Sequence, residues 1–479
     1  MVPRRRWWSL AVASLATLIV TADSGQLSIA LPLIIKDLHA DLSLASWIAL
    51  IYALVTASLY LPCGRMSDLI GVGKLFLAGF VLYAISSLAA ALAQGAIQLV
   101  CFRAIQAAGS ALIMANNFAL IAALFPREER GRAMGIAGGT ISALGYTLGP
   151  VLGGLLTHSL GWRSNFYLSG TLAIIGFGAA RTLLPAESFK ASREATAPFD
   201  FAGAVFFAIG ISLFLLSLAL AQNGSWGQAA AVFMALAAAV MLGLFIWREK
   251  RARSPLLDLD IFRIAAFTLG NAARWCSFIT MSASNLLMPF FLQLVLRLDP
   301  LLAGILVAPM PFAMALLAPL TGWLSERFPA ERLCAVGLTL NGVALVFLSF
   351  LQGDASATEI TTAMALLGVG MGTFQTPNNN LLMSSVPRHR LGIGSSVLSI
   401  VRSLGYSVGA TIAAAIVGCF LFAATGETSL QNLGGASGLA ADSPALAAFI
   451  RGYRCAYWAA AATAFAGAAV SLWAVPREK

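Results

Sequence analysis

Apolar runs of about twenty residues, long enough as helices to cross the hydrocarbon core of a bilayer, recur along the whole of this chain. They occupy residues 9–34, 45–63, 75–94, 98–124, 134–157, 164–184, 201–221, 229–247, 266–294, 302–322, 333–351, 359–384, 393–423 and 449–475. In lipid every backbone N–H and C=O must be satisfied within its own segment, so each run is expected to be a helix. Only 10% of the residues are charged and the mean hydropathy is +0.84. A water-soluble chain carries roughly a quarter charged residues, so a soluble protein is excluded and the expected class is an all-α membrane protein with fourteen transmembrane helices. Arg4, Arg5 and Arg6 ahead of the first run mimic a signal peptide, but the run is too long and no soluble domain follows a cleavage site. A retained first helix is expected.

The lysines and arginines set the orientation. With the N-terminus inside, the interior segments hold 22 of the 30, the exterior segments five (Lys36, Arg163, Arg297, Arg451, Arg454), and Arg103, Arg274 and Arg402 lie within helices. One miscounted helix would invert every later loop, so the bias supports the count and places both termini in the cytoplasm. It also assigns the net charge of +10 to one membrane face, which argues against a nucleic-acid partner.

The chain is written twice. Gly64–Leu75, GRMSDLIGVGKL, returns as Gly322–Leu333, GWLSERFPAERL, with Gly64/Gly322, Ser67/Ser325, Asp68/Glu326 and Lys74/Arg332 aligned at an offset of 258. Leu144–Gly149 returns as Leu404–Gly409 at an offset of 260. Two landmarks repeated in order indicate two copies of one unit, the pattern of a transporter whose halves rock about a central site. Helices 1–6 form one copy and 9–14 the other, so the expected organisation is an N-terminal six-helix bundle (1–184), an inserted helix pair with cytoplasmic linkers (185–265) and a C-terminal six-helix bundle (266–479). Gly64, Asp68, Gly71 and Lys74 read as a tight polar turn in water between two helices. The exterior stretch 424–448, rich in Gly, Ser and Ala, reads as a loop.

Nineteen of the twenty acidic residues fall in loops or at helix ends; Asp23 alone lies well inside a spanning run. A carboxylate there costs about 2.5–3.5 kcal/mol on insertion scales and marks ion or substrate handling. Asp23 is therefore the candidate proton carrier, with Gln26 one turn on along its face; the competing role is a structural cap or a partner for a buried arginine. Arg103 heads a polar face with Gln106, Gly109 and Asn117. An arginine in the membrane stays ionised and needs a partner or a wet cavity, which leaves a coupling device and a static clamp both open. Gly145, Gly149, Gly153 and Gly154 recur near one-turn spacing around Pro150, a smooth face for close packing with a site for a kink. Arg274, Trp275, Phe278, Asn285, Phe374, Asn378 and Arg402 supply a polar and aromatic set to the second half, either as a cavity lining or as helix–helix hydrogen bonds. Three buried arginines against one aspartate do not make a simple cation trap.

Six scattered cysteines without a CxxC read as single buried thiols. Three dispersed histidines, His39, His158 and His389, offer no metal site and no catalytic triad. A membrane-embedded enzyme would need clustered carboxylates or histidines, so no catalytic residue, metal or cofactor is expected.

These motifs resemble the major facilitator superfamily, and within it the fourteen-helix drug:proton antiporter branch, over essentially the whole length. Gly64–Lys74 is similar to the cytoplasmic loop motif between helices 2 and 3, where Gly64, Asp68 and Gly71 would set the gate, with Leu69 and Val72 in place of the usual basic residues. Arg103–Gly109 is similar to the helix-4 motif linked to proton coupling, with Ala107 where Gly is usual. Gly145–Gly154 is similar to the helix-5 antiporter motif and keeps Gly149-Pro150; the second copy has Ala410 in the place of Pro150. Asp23 with Ala30-Leu31-Pro32 resembles the branch's helix-1 motif, and Val401–Gly405 its helix-13 pattern. The resemblance implies proton-coupled efflux of lipophilic small molecules from the plasma membrane by a monomer, with the proton gradient as energy source. A dedicated exporter of one anionic or lipid-like metabolite is the alternative on the same fold.

Overall fold

The computed structural model describes residues 3–39, 42–190, 198–221, 224–252, 254–425 and 443–474, and the regular structure among them is entirely helical. The long helices follow the apolar runs in order: α1 (Pro3–Asp37), α2 (Leu42–Ile70), α3 (Val72–Ala91) and α4 (Ala96–Leu124). Next, α5 runs from Arg127–Met134 through a π-helical turn, Gly135–Thr140, into Ile141–Leu160. Then come α6 (Arg163–Leu183), α7 (Phe201–Leu220), α8 (Gly224–Glu249), and α9 (Ala265–Phe290, extended by a π turn over Phe291–Val295). The chain finishes with α10 (Pro300–Val307 and Pro309–Leu324), α11 (Ala330–Ser349), α12 (Ala357–Ser385), α13 (Leu391–Thr425) and α14 (Pro444–Trp473). Among the described residues, thirteen are long and apolar enough to span by length and composition. The remaining one, α12, is long enough at 29 residues but its apolar stretch runs into Gln375, Thr376 and Asn378–Asn380. Residues 426–442 of the expected exterior loop, 191–197 of the linker before α7, and Arg477 and Lys479 lie outside the described residues.

Two readings from the sequence need correction. Gly64–Leu75 is not a turn in water: α2 continues to Ile70 and α3 begins at Val72, with Gly71 alone between them. Gly71 has φ 112°, and a Cβ there would meet the carbonyls of Phe189 and Lys190 at 2.9 Å, so only glycine suits the position. Ser67 and Asp68 are buried helical residues: the Ser67 hydroxyl donates to the Gly64 carbonyl of its own helix, and a partner helix supplies Asp68 with the hydrogen bonds that water was expected to supply. The cysteines are not uniformly buried either. Cys101, Cys419 and Cys455 lie on the outer surface, where a small soft side chain suits lipid as well as a core.

Large side chains gather in two main cores. One unites Phe76, Phe80, Tyr83 and Phe118 of α3 and α4, and Phe125 just after α4, with Phe207 and Ile211 of α7, with Leu256 and Ile261, and with Ile393 and Leu398 of α13. The other gathers Phe278, Phe291, Phe449, Tyr453 and Tyr457 from α9 and α14 with residues of α11 and α12. Tyr453 stacks on Phe291 with centroids 4.7 Å apart.

The glycine face of α5 lies on α1. A Cβ at Gly149 would meet the Ala22 backbone at 2.5 Å and one at Gly153 the Gln26 backbone at 2.6 Å; Gly145 lies against Thr21. The Pro150 ring fills the space over Gly25. The turn of α1 that carries Asp23 is thus seated against glycines on both sides of it. Gly154 is different, since a Cβ there would meet only the Ile29 side chain, at 3.7 Å. Gly149→Ala is therefore expected to lower stability by about 1–3 kcal/mol, the range of an overpacked core, while Gly154→Ala leaves it within about 0.5 kcal/mol. Thermal unfolding in detergent separates the two.

Candidate functional site

Asp23 meets Arg103 in a buried ion pair. Arg103 Nη1 donates to Asp23 Oδ2 at 2.7 Å, and the side chains of Arg103 and Asp23 are 2% and 4% exposed. Gln106 completes the cluster. Its carbonyl accepts from Arg103 Nη1 at 2.6 Å, and its amide donates to Asp23 Oδ1 at 3.3 Å and to Ser87 Oγ at 2.8 Å. That pattern admits one orientation of the amide. The Arg103 guanidinium lies over the Tyr52 ring, 4.3 Å from its centroid, and 5.9 Å from that of Phe166. Desolvating two charges costs several kcal/mol per ion, which further polar and aromatic contacts offset; Arg103 Nε has no hydrogen-bond partner among the described residues, and the guanidinium leans on the aromatic rings instead. Here α1, α2, α3, α4 and α6 all contribute to that shell. The sequence singled out Asp23, Arg103 and Gln106 but not Ser87 or Tyr52, which are common residue types on apolar faces. Spacing on one helix does not say which faces of α2 and α3 turn toward α4.

Two further expected residues brace α1 on either side. Ser169 of α6 donates to Gln26 Oε1 at 3.2 Å, and Asn117 of α4 donates to Thr17 Oγ1 at 2.8 Å. The second half holds a separate polar cluster. Arg274 Nε donates to the Leu398 carbonyl at 3.0 Å, and its Nη1 donates to Asn379 Oδ1 at 2.6 Å and Asn378 Oδ1 at 3.4 Å, with the guanidinium 5.1 Å from the Phe278 ring centroid. Arg402, one turn beyond Leu398, is half-buried. Neither Arg274 nor Arg402 forms an ion pair with a carboxylate among the described residues. Trp275 is exposed and rests on Gly405; Asn285 donates to the Tyr406 hydroxyl at 2.9 Å. Phe374 falls elsewhere, fully buried in an apolar cluster with Ala273, Cys334, Leu338 and Ala468.

The repeated motif makes a repeated contact. The Asp68 carboxylate accepts the N–H groups of Gly392 at 2.8 Å and Ile393 at 3.1 Å, the first turn of α13. It supplies from another helix what an N-cap would supply locally, and it meets the positive end of the helix dipole. Gly64 lies against Ser396 and Gly392 with no room for a Cβ. In the second copy Glu326 accepts the Arg132 N–H at 2.8 Å in the first turns of α5, and Gly322 meets Gly131 backbone to backbone. Asp68 maps to Glu326 at the first offset, and Arg132 maps to Gly392 at the second. Burial pushes the Glu326 carboxyl above its ordinary range, against the pull of the Arg132 N–H and charge. Lys74, expected at this site, is exposed. Other hydrogen bonds between residues 1–184 and 266–479 join Thr140 to Ala315 (2.8 Å), Arg130 to Ser384 (3.5 Å) and Ser399 to Met114 (3.5 Å). All of these lie in the part of the helices nearest the basic turns.

The Major Facilitator Superfamily model matches residues 13–410. The chain belongs to the major facilitator superfamily. It is therefore a multi-pass membrane transporter. It is 28% identical over 406 residues to the riboflavin transporter RibZ of Clostridioides difficile, covering 85% of this chain and 87% of that one. It is 32% identical over 418 residues to the transporter YebQ of Escherichia coli (87% and 90% covered). It is 28% identical over 459 residues to the multidrug efflux pump LfrA of Mycolicibacterium smegmatis (93% and 90%). Among solved structures the human organic anion transporter MFSD10 shares the fold, with a TM-score of 0.63 at 14% identity over 98% of this chain and all of that one. Removing one partner of the buried pair strands a charge, so Arg103→Leu is expected to cost about 3–5 kcal/mol. The double variant Asp23→Asn/Arg103→Leu should recover much of that loss, as thermal unfolding of the four proteins of the cycle would record.

Proposed function

We propose that this transporter is a proton-coupled exporter of lipophilic small molecules, of the fourteen-helix drug:proton antiporter branch. The observation that carries the reading is the Asp23–Arg103–Gln106 cluster, in which a carboxylate deep in a spanning helix is held by a single cation. A proton arriving at Asp23 would neutralise one side of that pair and release Arg103 and α1. A proton leaving it would restore the clamp. In this reading α1–α6 and α9–α14 are two six-helix bundles working by alternating access, and α7–α8 are inserted between them. Both termini face the cytoplasm of a plasma-membrane protein, as the basic turns favour. The contacts of Asp68 and Glu326 are then twin gates, closed on the cytoplasmic side. A carboxylate at a helix terminus is worth about 0.3–1 kcal/mol, up to about 2 when partly buried, which suits a contact made and broken each cycle.

The anionic alternative rests on a different observation. Arg274 and Arg402 meet no carboxylate among the described residues, so the second half presents positive charge that an anionic head could neutralise. Proteoliposomes with an imposed pH gradient, loaded in parallel with a cationic dye and an anionic lipophile, separate the two. In that assay Asp23→Asn is expected to abolish gradient-driven transport while the protein remains folded and inserted; full transport by this variant would remove Asp23 from the mechanism. Asp68→Asn is expected to slow turnover more than it weakens binding. Unchanged turnover would remove Asp68 from the gate.

A further inference from the structure

Between α8 and α9 the chain runs along the face where the halves close. Glu249, buried at the end of α8, accepts the N–H groups of Leu256 at 3.2 Å and Leu257 at 3.0 Å, folding the chain back beneath its own helix. Leu256 and Ile261 are 0% and 1% exposed and share a core with Leu61 of α2 and Leu391, Ile393 and Val397 of α13. Two polar contacts then reach opposite sides of the Asp68 gate. Arg65 of α2 donates to Ser254 Oγ at 3.1 Å, and Asp258 pairs with Arg390, the residue immediately before α13. The inserted helices follow the same seam. Ser212 of α7 hydrogen-bonds Ser58 of α2 at 2.8 Å, and α7 also touches α13. Asp200 caps α7 through the Gly203 N–H at 3.0 Å and pairs with Arg248 at 3.2 Å, binding the near ends of α7 and α8 together.

We propose that α7, α8 and the strap 254–264 form a clamp on the closed gate, in which Asp258 is a positioning residue that holds the first turn of α13 onto Asp68. On this account the inserted pair ties the end of α2 to the start of α13 at the one place where those helices must separate. This rests on the reading of the Asp68 contact as a gate that opens. It does not rest on proton coupling or on the substrate.

The test uses the full chain with its six native cysteines replaced and one cysteine introduced, Ser67→Cys, at a position 1% exposed beneath α13. Alkylation by a water-soluble maleimide then reports the open fraction of the gate. Asp258→Asn removes a partly buried ion pair, and the labelling rate is expected to rise about fivefold. The charge exchange Asp258→Arg with Arg390→Asp should return it toward the parent rate. Asp260→Asn, whose partner Arg263 is 85% exposed, should leave it unchanged. A second reporter, Ala90→Cys, at a fully buried site on the other side of the membrane, should label no faster in the Asp258→Asn protein. An unchanged rate at the Ser67 site, or an equal rise at the Ala90 site, would overturn the proposal. Because labelling requires neither a gradient nor a transported molecule, its result stands apart from that of the Asp23 experiment.

Discussion

The buried pair of Asp23 and Arg103 is the constraint on which the arrangement of the first half depends. An ionised carboxylate and a guanidinium are costly in lipid unless they touch and further contacts offset their desolvation. Touching requires α1 to approach α4 closely, and the glycine face of α5 packs on the adjoining face of α1, at Ala22 and Gln26. The motif around Pro150 and the charge on α1, far apart in the chain, therefore serve one end. The first sets the position of the α1 backbone, and the second exploits it.

The seam between the halves uses a different device. Rather than pairing charges, it aims carboxylates at main-chain N–H groups, at the open first turn of α13 through Asp68 and at the second turn of α5 through Glu326. Close backbone approach at Gly64 and at Gly131–Gly322 makes the geometry possible, since a side chain at any of these positions would hold the helices apart. Small residues and main-chain contacts at these positions adjoin the apolar core that Leu391, Ile393 and Val397 of α13 share with Leu61 of α2. The π turn in α5 falls on this seam, where Gly135 and Gly139 lie against Ala318; π-helical turns frequently mark functional stretches of a helix.

The cargo of such a fold is set by side chains rather than by the helices that carry them. The relatives include proteins named for riboflavin and for multidrug efflux on one fold, and a fold hosts many substrates through the side chains grafted on it. In this chain those side chains divide unevenly. The first half neutralises its one membrane arginine, whereas the second holds Arg274 with amides and a carbonyl and leaves Arg402 half-buried.

The number and order of the helices, the asymmetry of the basic turns, the duplication and the isolation of Asp23 within a spanning run were all legible in the sequence. Each follows from a local rule: helix length against bilayer thickness, charge against leaflet, period against period, and the cost of a lone carboxylate in hydrocarbon. The tertiary structure decided who meets whom. Asp68 looked like a residue of a wet turn because its partners lie 324 and 325 positions away and are backbone N–H groups, which carry no residue-type signal. Phe374 looked like a lining residue and proved to be core, because an aromatic ring on an apolar helix suits either environment. The strap that joins Arg65, Asp258 and Arg390 was invisible for the same physical reason. Periodicity tells a helix which face to bury, but only packing determines which neighbour covers it.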